Sequence, residues 1–326
     1  MIKLGIIGLG NVGLSVHLPV LLAKKDISIS WVCDVNLKLK KLVEKNKIKF
    51  FDNFKDALKT NSAEIILITT PYISRNEILE NINNEIVKGI YCEKPFAKSV
   101  KEHLAITNDY EDYTFSIGYN RRALGHVNII KNIIHDGVFG DLKEVRCEYG
   151  YFTIKSGRFH SDAELSGGGI LFESGVHWID AMLFSIQPND VEIINAMVEY
   201  NAGLDIHTDA EFLLKMDNQE DIDCKILITH LQKTEDKISY VFEHVTVELY
   251  LYDESQPPLV IPHNASNNKT YEINNFLVGI GPSTAVGQGA KYWEDYISSF
   301  VNKKVSYTNA SECLMTTKVI EQIYGF

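Results

Sequence analysis

The chain has 326 residues, 45% of them hydrophobic and 23% charged, and a formal net charge of −11. That length predicts two domains, each with its own core, and the acidic balance argues against nucleic acid or an anionic membrane as partner. Five scattered cysteines without a CxxC pair fit free thiols in a reducing cytosol. No apolar run approaches the roughly 20 residues of a membrane span, so the expectation is a cytoplasmic protein.

Residues 3–7 read as a short buried strand that runs into Gly8-Leu9-Gly10-Asn11-Val12-Gly13. This G-x-G-x-x-G pattern opens a helix over residues 12–24. Gly8 permits the tight turn, Gly10 lets the backbone approach a pyrophosphate, and Gly13 allows close packing of helix on strand. The helix start, with Asn11 and Val12, offers unpaired N–H groups and a positive dipole to phosphates; a glycine pattern by itself also describes a simple turn. A second strand, Ile27–Cys33, ends at Asp34, where a carboxylate can bind the adenosine ribose 2′-OH. No Arg follows to hold a 2′-phosphate, so NAD is expected over NADP. Asp34 would also serve as the N-cap of a helix over 37–45.

The alternation of strand and helix continues. Ile65–Ile68 is a buried strand, and Thr69-Thr70-Pro71 ends it, with Thr70 and Pro71 bordering the cofactor. A helix over 74–88 leads to strand Gly89–Cys92 and then Glu93-Lys94-Pro95-Phe96. Ligands of open α/β sheets lie beyond the carboxyl ends of the strands, which places Glu93 and Lys94 at the cofactor. The Lys94 ammonium there suits a substrate oxygen, although a surface Lys before a Pro turn is common. A helix over 99–112 and strand Thr114–Ile117 complete a doubly wound parallel sheet, an NAD-binding Rossmann domain over residues 1–120. Tyr119, Asn120 and Arg121 at the next strand end are expected to face substrate; Arg121, Arg122 or both would serve equally in structural ion pairs.

Residues 121–326 read as an α+β domain for substrate binding and oligomerisation. A helix over 124–135 precedes a long strand over 142–154. In the loop that follows, Lys155, Arg158 and His160 suit a phosphate or carboxylate, or simply solvent. Residues 166–180 read SGGGILFESGVHWID. Three glycines suit a tight turn into a helix, and Glu173 and His177 lie four positions apart, on one helical face. A carboxylate beside an imidazole is a proton donor or acceptor near neutral pH. The same pair also fits a satisfied structural contact, and no further ligands fall at a metal-site spacing, so no metal is expected. Apolar neighbours bury the helix and leave it a narrow exposed strip. Strands over 193–200, 210–216, 222–230, 238–242 and 246–252 predict a large, mostly antiparallel open sheet. Residues 279–289 read as a mobile loop, and helices over 290–301 and 310–324 finish the chain.

Taken together, GLGNVG with Asp34, TTP, CEKPFAKSVKE, GYNRR and SGGGILFESGVHWID resemble the Gfo/Idh/MocA family, the glucose–fructose oxidoreductase and inositol dehydrogenase group. The resemblance implies an active site of the EKP lysine, an acid and a His four residues on, here Lys94, Glu173 and His177, converging on one pocket. It implies His177 as proton acceptor, Lys94 as a polarising group, the acid as an orienting group, and a cis Lys94–Pro95 bond. Two positions depart from the family: Glu173 replaces an Asp, and Arg75 stands where a His is frequent, suited to support structure or an anion. The implied function is NAD-dependent hydride transfer on a sugar, nucleotide sugar or cyclic polyol, anionic if the 155–160 loop binds it. Two alternatives are a redox-neutral enzyme that recycles its NAD and a non-catalytic NAD- or sugar-binding regulator. A homodimer or homotetramer through the C-terminal sheet is expected.

Overall fold

Ile65–Ile68 is apolar at every position, and each of its residues is completely buried. Such a run belongs in the middle of a parallel sheet covered on both faces. In the computed structural model it does. The structure describes residues 1–82, 85–152, 162–217, 219–252, 256–263, 271–272 and 285–325. They form two compact units: Met1–Ala97 with Lys101–Gly118 and Thr284–Glu312, and Lys98–Val100 with Tyr119–Ser283 and Cys313–Phe326.

The first unit contains β1 (Ile2–Ile7), β2 (Ile27–Cys33), β3 (Lys49–Phe51), β4 (Ile65–Ile68), β5 (Gly89–Cys92) and β6 (Thr114–Ile117). They lie in the order β3-β2-β1-β4-β5-β6, and every neighbouring pair is parallel. The order reverses between β1 and β4, so the loops leaving these two strands part and open a crevice at their carboxyl ends. A single boundary at residue 120 leaves out part of this unit, because the helix Ala285–Asn302 returns to it. Its Tyr292, Trp293 and Tyr296 are at most 2% exposed; Trp293 stacks on Tyr91 at 4.9 Å and Tyr296 meets it edge-on at 5.4 Å. The helix begins at residue 285, inside the stretch expected to be a loop. Gly289 explains this: a Cβ there would lie 2.9 Å from the Val16 side chain, so the glycine allows close helix packing. Residues 279–284 lie outside the described residues.

The second unit is built on β7 (Leu142–Gly150), β8 (Asp190–Asn201), β9 (Leu204–Lys215), β10 (Ile222–Thr229), β11 (Lys237–Phe242), β12 (Val245–Leu249), β13 (Leu259–Pro262) and β14 (Tyr271–Glu272). Their order is β14-β13-β12-β11-β7-β10-β9-β8. All pairs are antiparallel except β7 with β10. Alternation sets the two faces: Ile222, Cys224, Ile226 and Ile228 of β10 are buried, while Asp223 and Lys225 are exposed. Helix Val176–Ile186 packs against β7 and against the helices Gly125–His135 and Leu314–Gly325. Inside this layer Arg122 makes a two-pronged ion pair with Asp180, at 2.9 and 2.7 Å, and Thr316 donates to the same carboxylate at 2.8 Å. Arg122 and Asp180 are therefore the structural pair that the sequence left open, and they tie the GYNRR stretch to the final Asp of GVHWID.

Candidate active site

In the first unit the turn after β1 carries Gly8 at φ +91°, a left-handed conformation that favours glycine. A Cβ on Gly8 would also press against the Thr69–Thr70 backbone at 2.9 Å, whereas Gly10 has open space around it. The first intrahelical bond runs from Leu14 N–H to Gly10 O at 2.9 Å, so the N–H groups of Asn11, Val12 and Gly13 point out of the helix start. Thr69 Oγ1 donates to Gly8 O at 2.7 Å and ties this turn to the end of β4.

Beside the turn lies a cleft of about 570 Å³, lined by Gly8, Gly10, Asp34, Thr70 and Pro71 together with Asn53, Lys55 and Glu77. The size suits a nucleoside. Asp34 accepts Leu9 N–H at 2.6 Å and Asn36 N–H at 2.7 Å, one on each oxygen, which leaves each oxygen a second lone pair for a ribose hydroxyl. The helix cap considered for Asp34 falls to Asn36, whose side chain accepts Lys38 N–H at 3.2 Å. Burial, with the Asp34 and Asp52 carboxylates adding, pushes the neighbouring Cys33 thiol up to about 12, so it stays protonated. An open glycine approach, outward N–H groups and a carboxylate at the end of β2 fit a dinucleotide with its pyrophosphate on the helix start.

Beyond β5, Glu93 and Lys94 are half-buried, and the Lys94–Pro95 bond is cis. Arg75, at 1% exposure, donates to Glu93 O at 2.8 Å and to Phe96 O, gripping the loop on both sides. Its role is structural, because a buried guanidinium already spent on carbonyls has no call for a ligand anion. Its register in the motif gave no hint of which backbone it would reach.

In the second unit the three glycines carry the helix-bearing turn. Gly169 lies so close to β9 that a Cβ would fall 1.9 Å from Asp205 O. The Asp205 carboxylate, 1% exposed, accepts N–H bonds from Gly169 and from Leu171, the latter at 2.7 Å. Tyr324 donates its hydroxyl to the same group at 2.8 Å. A wide π-type turn over Leu171–Gly175 follows, and the α-helix begins at Val176. From Ile170 to Ile186 every residue is buried except Glu173 and His177, which stay half-open. A carboxylate and an imidazole are thus what this helix shows to the outside.

The remaining expected substrate contacts differ among themselves. Asn120 and Arg121 are half-buried in the turn Asn120–Ala123, with the Arg121 guanidinium 4.6 Å over the Tyr252 ring. Tyr119 is 2% exposed and packs under Arg122, a core position. Lys155, Arg158 and His160 lie outside the described residues. Two residues of consequence were missed in the sequence, His17 and Asp205. His17 leaves one signal, a polar residue inside the apolar helix run LSVHLPVLL; Asp205 leaves none. Among the described residues no group of three His, Cys, Asp or Glu could hold a metal ion, and no helix is long and apolar enough to cross a membrane.

Comparison with known proteins agrees with this fold. Residues 2–112 match an oxidoreductase family with an NAD-binding Rossmann fold, and residues 127–240 match the GFO/IDH/MocA C-terminal domain. A glucose-6-phosphate 3-dehydrogenase of Bacillus subtilis (strain 168) is 26% identical over 209 residues, 62% of this chain and 59% of that protein. The aligned stretch thus spans under two thirds of that curated relative. Two crystal structures share the fold over 99% of the chain: an aldose–aldose oxidoreductase from Caulobacter crescentus complexed with glycerol, and an oxidoreductase from Agrobacterium radiobacter with NAD+, L-tartaric acid and magnesium. The first has a TM-score of 0.82, 16% identity and 96% of its own chain covered; the second has 0.77, 17% and 95%. The chain belongs to the GFO/IDH/MocA family of NAD-binding oxidoreductases.

Proposed function

We propose that the protein transfers hydride between NAD and a secondary hydroxyl or ketone of a sugar or polyol, with Lys94, Glu173 and His177 acting on the same substrate oxygen. Held by the glycine turn and Asp34, NAD would supply the hydride acceptor for the carbinol carbon. His177 accepts the hydroxyl proton as that C–H bond breaks and the carbonyl forms, Glu173 orients the imidazole and substrate, and the Lys94 ammonium polarises the oxygen. In the direction of ketone reduction, His177 would return the proton to the substrate oxygen. The observation that carries this reading is the selective exposure of Glu173 and His177 on an otherwise buried helix. Burial of the whole face would have suited a structural pair.

Charge in the cleft supports NAD over NADP. Asp34, Asp52 and Glu77 line it against one cation, Lys55, which is already paired with Glu77 at 2.8 Å. A 2′-phosphate would meet Asp34 directly. The relative named for glucose 6-phosphate supports a phosphorylated sugar as substrate, and Lys155, Arg158 and His160 are the residues we assign to its anion. The open face of the eight-stranded sheet, which carries cross-strand pairs such as Lys225 with Glu211 at 2.8 Å, is the surface we assign to another copy of the chain.

The test is His177→Ala, assayed with NAD and a panel of sugar phosphates. Turnover should fall by roughly 10²–10⁴ while NAD affinity stays near wild type. Equal loss of turnover and NAD binding would mean that the helix is structural. Build-up of reduced-nicotinamide absorbance in the wild type separates net oxidation from a recycled cofactor.

A further inference from the structure

Behind the Glu93–Lys94 turn lies a buried aromatic cluster that the proposed chemistry does not use. His17, Tyr91, Tyr292, Trp293 and Tyr296 are all at most 2% exposed, and the His17 ring stands edge-on to Tyr91, Tyr292 and Trp293. Trp293 Nε1 lies 3.0 Å from His17 Nδ1. An indole N–H can only donate, so Nδ1 accepts, the ring proton sits on Nε2, and Nε2–H donates to Glu93 Oε1 at 2.9 Å. The other oxygen of Glu93 accepts Lys94 N–H at 3.2 Å. N–H groups are thus aimed at both oxygens of Glu93, and an indole two hydrogen bonds away fixes the ring that orients it. The Arg75 grip on its carbonyl holds the backbone in the same place. Gly118 leaves room for the carboxyl, since a Cβ there would fall 2.7 Å from Glu93 Cδ.

A histidine serving packing alone would complete its bonds inside the core. His17 instead gives its one donor to a side chain that keeps 13% of its surface open and has a spare lone pair on each oxygen. We propose that His17 is a positioning residue: it holds an ionised Glu93 at the nicotinamide end of the cofactor site, where the fixed negative charge favours the cationic oxidised ring over the neutral reduced one. This rests on the dinucleotide reading above, because it places the nicotinamide beyond the end of β5. A unit charge about 6 Å from the ring, at an effective dielectric near 20, biases the two redox forms by roughly tenfold to hundredfold. Lys94 opposes that bias equally in wild type and in Glu93 variants, so the ratio of the two affinities isolates the contribution of Glu93.

The experiment measures Kd for NAD+ and for NADH in wild type, Glu93→Gln, His17→Asn and His17→Gln, with AMP as a probe of the adenosine end. A glutamine amide reaches the place of Nε2–H, whereas an asparagine amide does not. We expect Kd(NAD+)/Kd(NADH) to rise about tenfold or more in Glu93→Gln and several-fold in His17→Asn. It should stay within about twofold of wild type in His17→Gln, and AMP affinity should be constant throughout. If His17→Asn does not fold, Trp293→Phe removes the indole donor and should move the ratio in the same direction. An unchanged ratio in Glu93→Gln overturns the proposal, as does a lowered Tm without a ratio change in both His17 variants. Failure of the wild type to bind either nucleotide overturns the dinucleotide reading and this proposal together, and AMP then shows whether the adenosine end fails too.

Discussion

Asp205→Ala strikes the joint on which the helix bearing Glu173 and His177 is hung. The carboxylate is buried and receives the N–H groups of Gly169 and Leu171 and the hydroxyl of Tyr324. Leu171 lies two residues before Glu173, so the same bonds that satisfy the turn set the height of the helix start. Alanine leaves the part-buried Gly169 N–H and the buried Leu171 N–H without this acceptor. A hydrogen bond to a charged partner contributes about 1.5–3 kcal/mol, so the loss should be about 3–6 kcal/mol against a usual total of 5–15 kcal/mol. Asp205→Asn keeps the volume but turns an NH₂ toward one of the two N–H donors, and should cost about half as much. Tyr324→Phe removes one hydroxyl donor to the same carboxylate and should cost about 1.5–3 kcal/mol. Urea unfolding followed by circular dichroism reads these values, and turnover with NAD binding reads the effect on the helix. NAD affinity should hold, since Asp205 is in the other unit from the glycine turn. A loss below about 1 kcal/mol in Asp205→Ala, with turnover intact, would refute the claim that this carboxylate anchors the helix.

Three further outcomes follow from the same geometry. Asp34→Ser with Val35→Arg should shift the NAD-to-NADP ratio of kcat/KM by roughly 10²–10⁴-fold toward NADP, since one cofactor loses a charge-assisted bond and the other gains one, each about 1.5–3 kcal/mol; an unchanged ratio means that Asp34 does not meet the ribose. Arg122→Met strands Asp180 and should cost about 3–5 kcal/mol, while Arg122→Met with Asp180→Leu recovers most of it; equal losses in chemical denaturation would show that the pair is not coupled. Burial raises Cys33 to about 12 and Cys92 to about 11, above the usual 9.0. Thiols raised on folding lend stability that is full below pH 9 and lost as pH climbs through 11 and 12. The melting temperature should therefore fall above pH 9, and a thiol reagent at neutral pH should label the five buried cysteines in urea but not in the native protein. Rapid native labelling would contradict that burial.

Much of the frame is legible in the sequence because its chemistry is local. The glycine turn, Asp34, the apolar run of β4 and the EKP turn each announce themselves within a few residues, and Glu173 with His177 stand out against apolar neighbours. What stays hidden depends on partners far along the chain. Trp293 completes the first unit from more than 270 residues after His17, and helix periodicity there says nothing about which sheet it will cover. Arg122 and Arg121 look alike in sequence, yet Asp180 takes one into the core while Tyr252 stacks with the other. Asp205 sits in an ordinary strand start, and its clamp exists only because Gly169 arrives beside it. Short strands such as β3 and β13 hold three or four residues, too few for alternation to register.

The central claim is that Lys94 and His177 serve one oxygen at the nicotinamide. A crystal of the protein soaked with NAD and a sugar phosphate tests it most directly. Density for the sugar should place one secondary hydroxyl within hydrogen-bonding reach of both the Lys94 ammonium and the His177 imidazole, its carbinol carbon facing the ring. A sugar bound beside only one of those two residues, or a nicotinamide lodged away from the Glu93–Lys94 turn, would contradict the account.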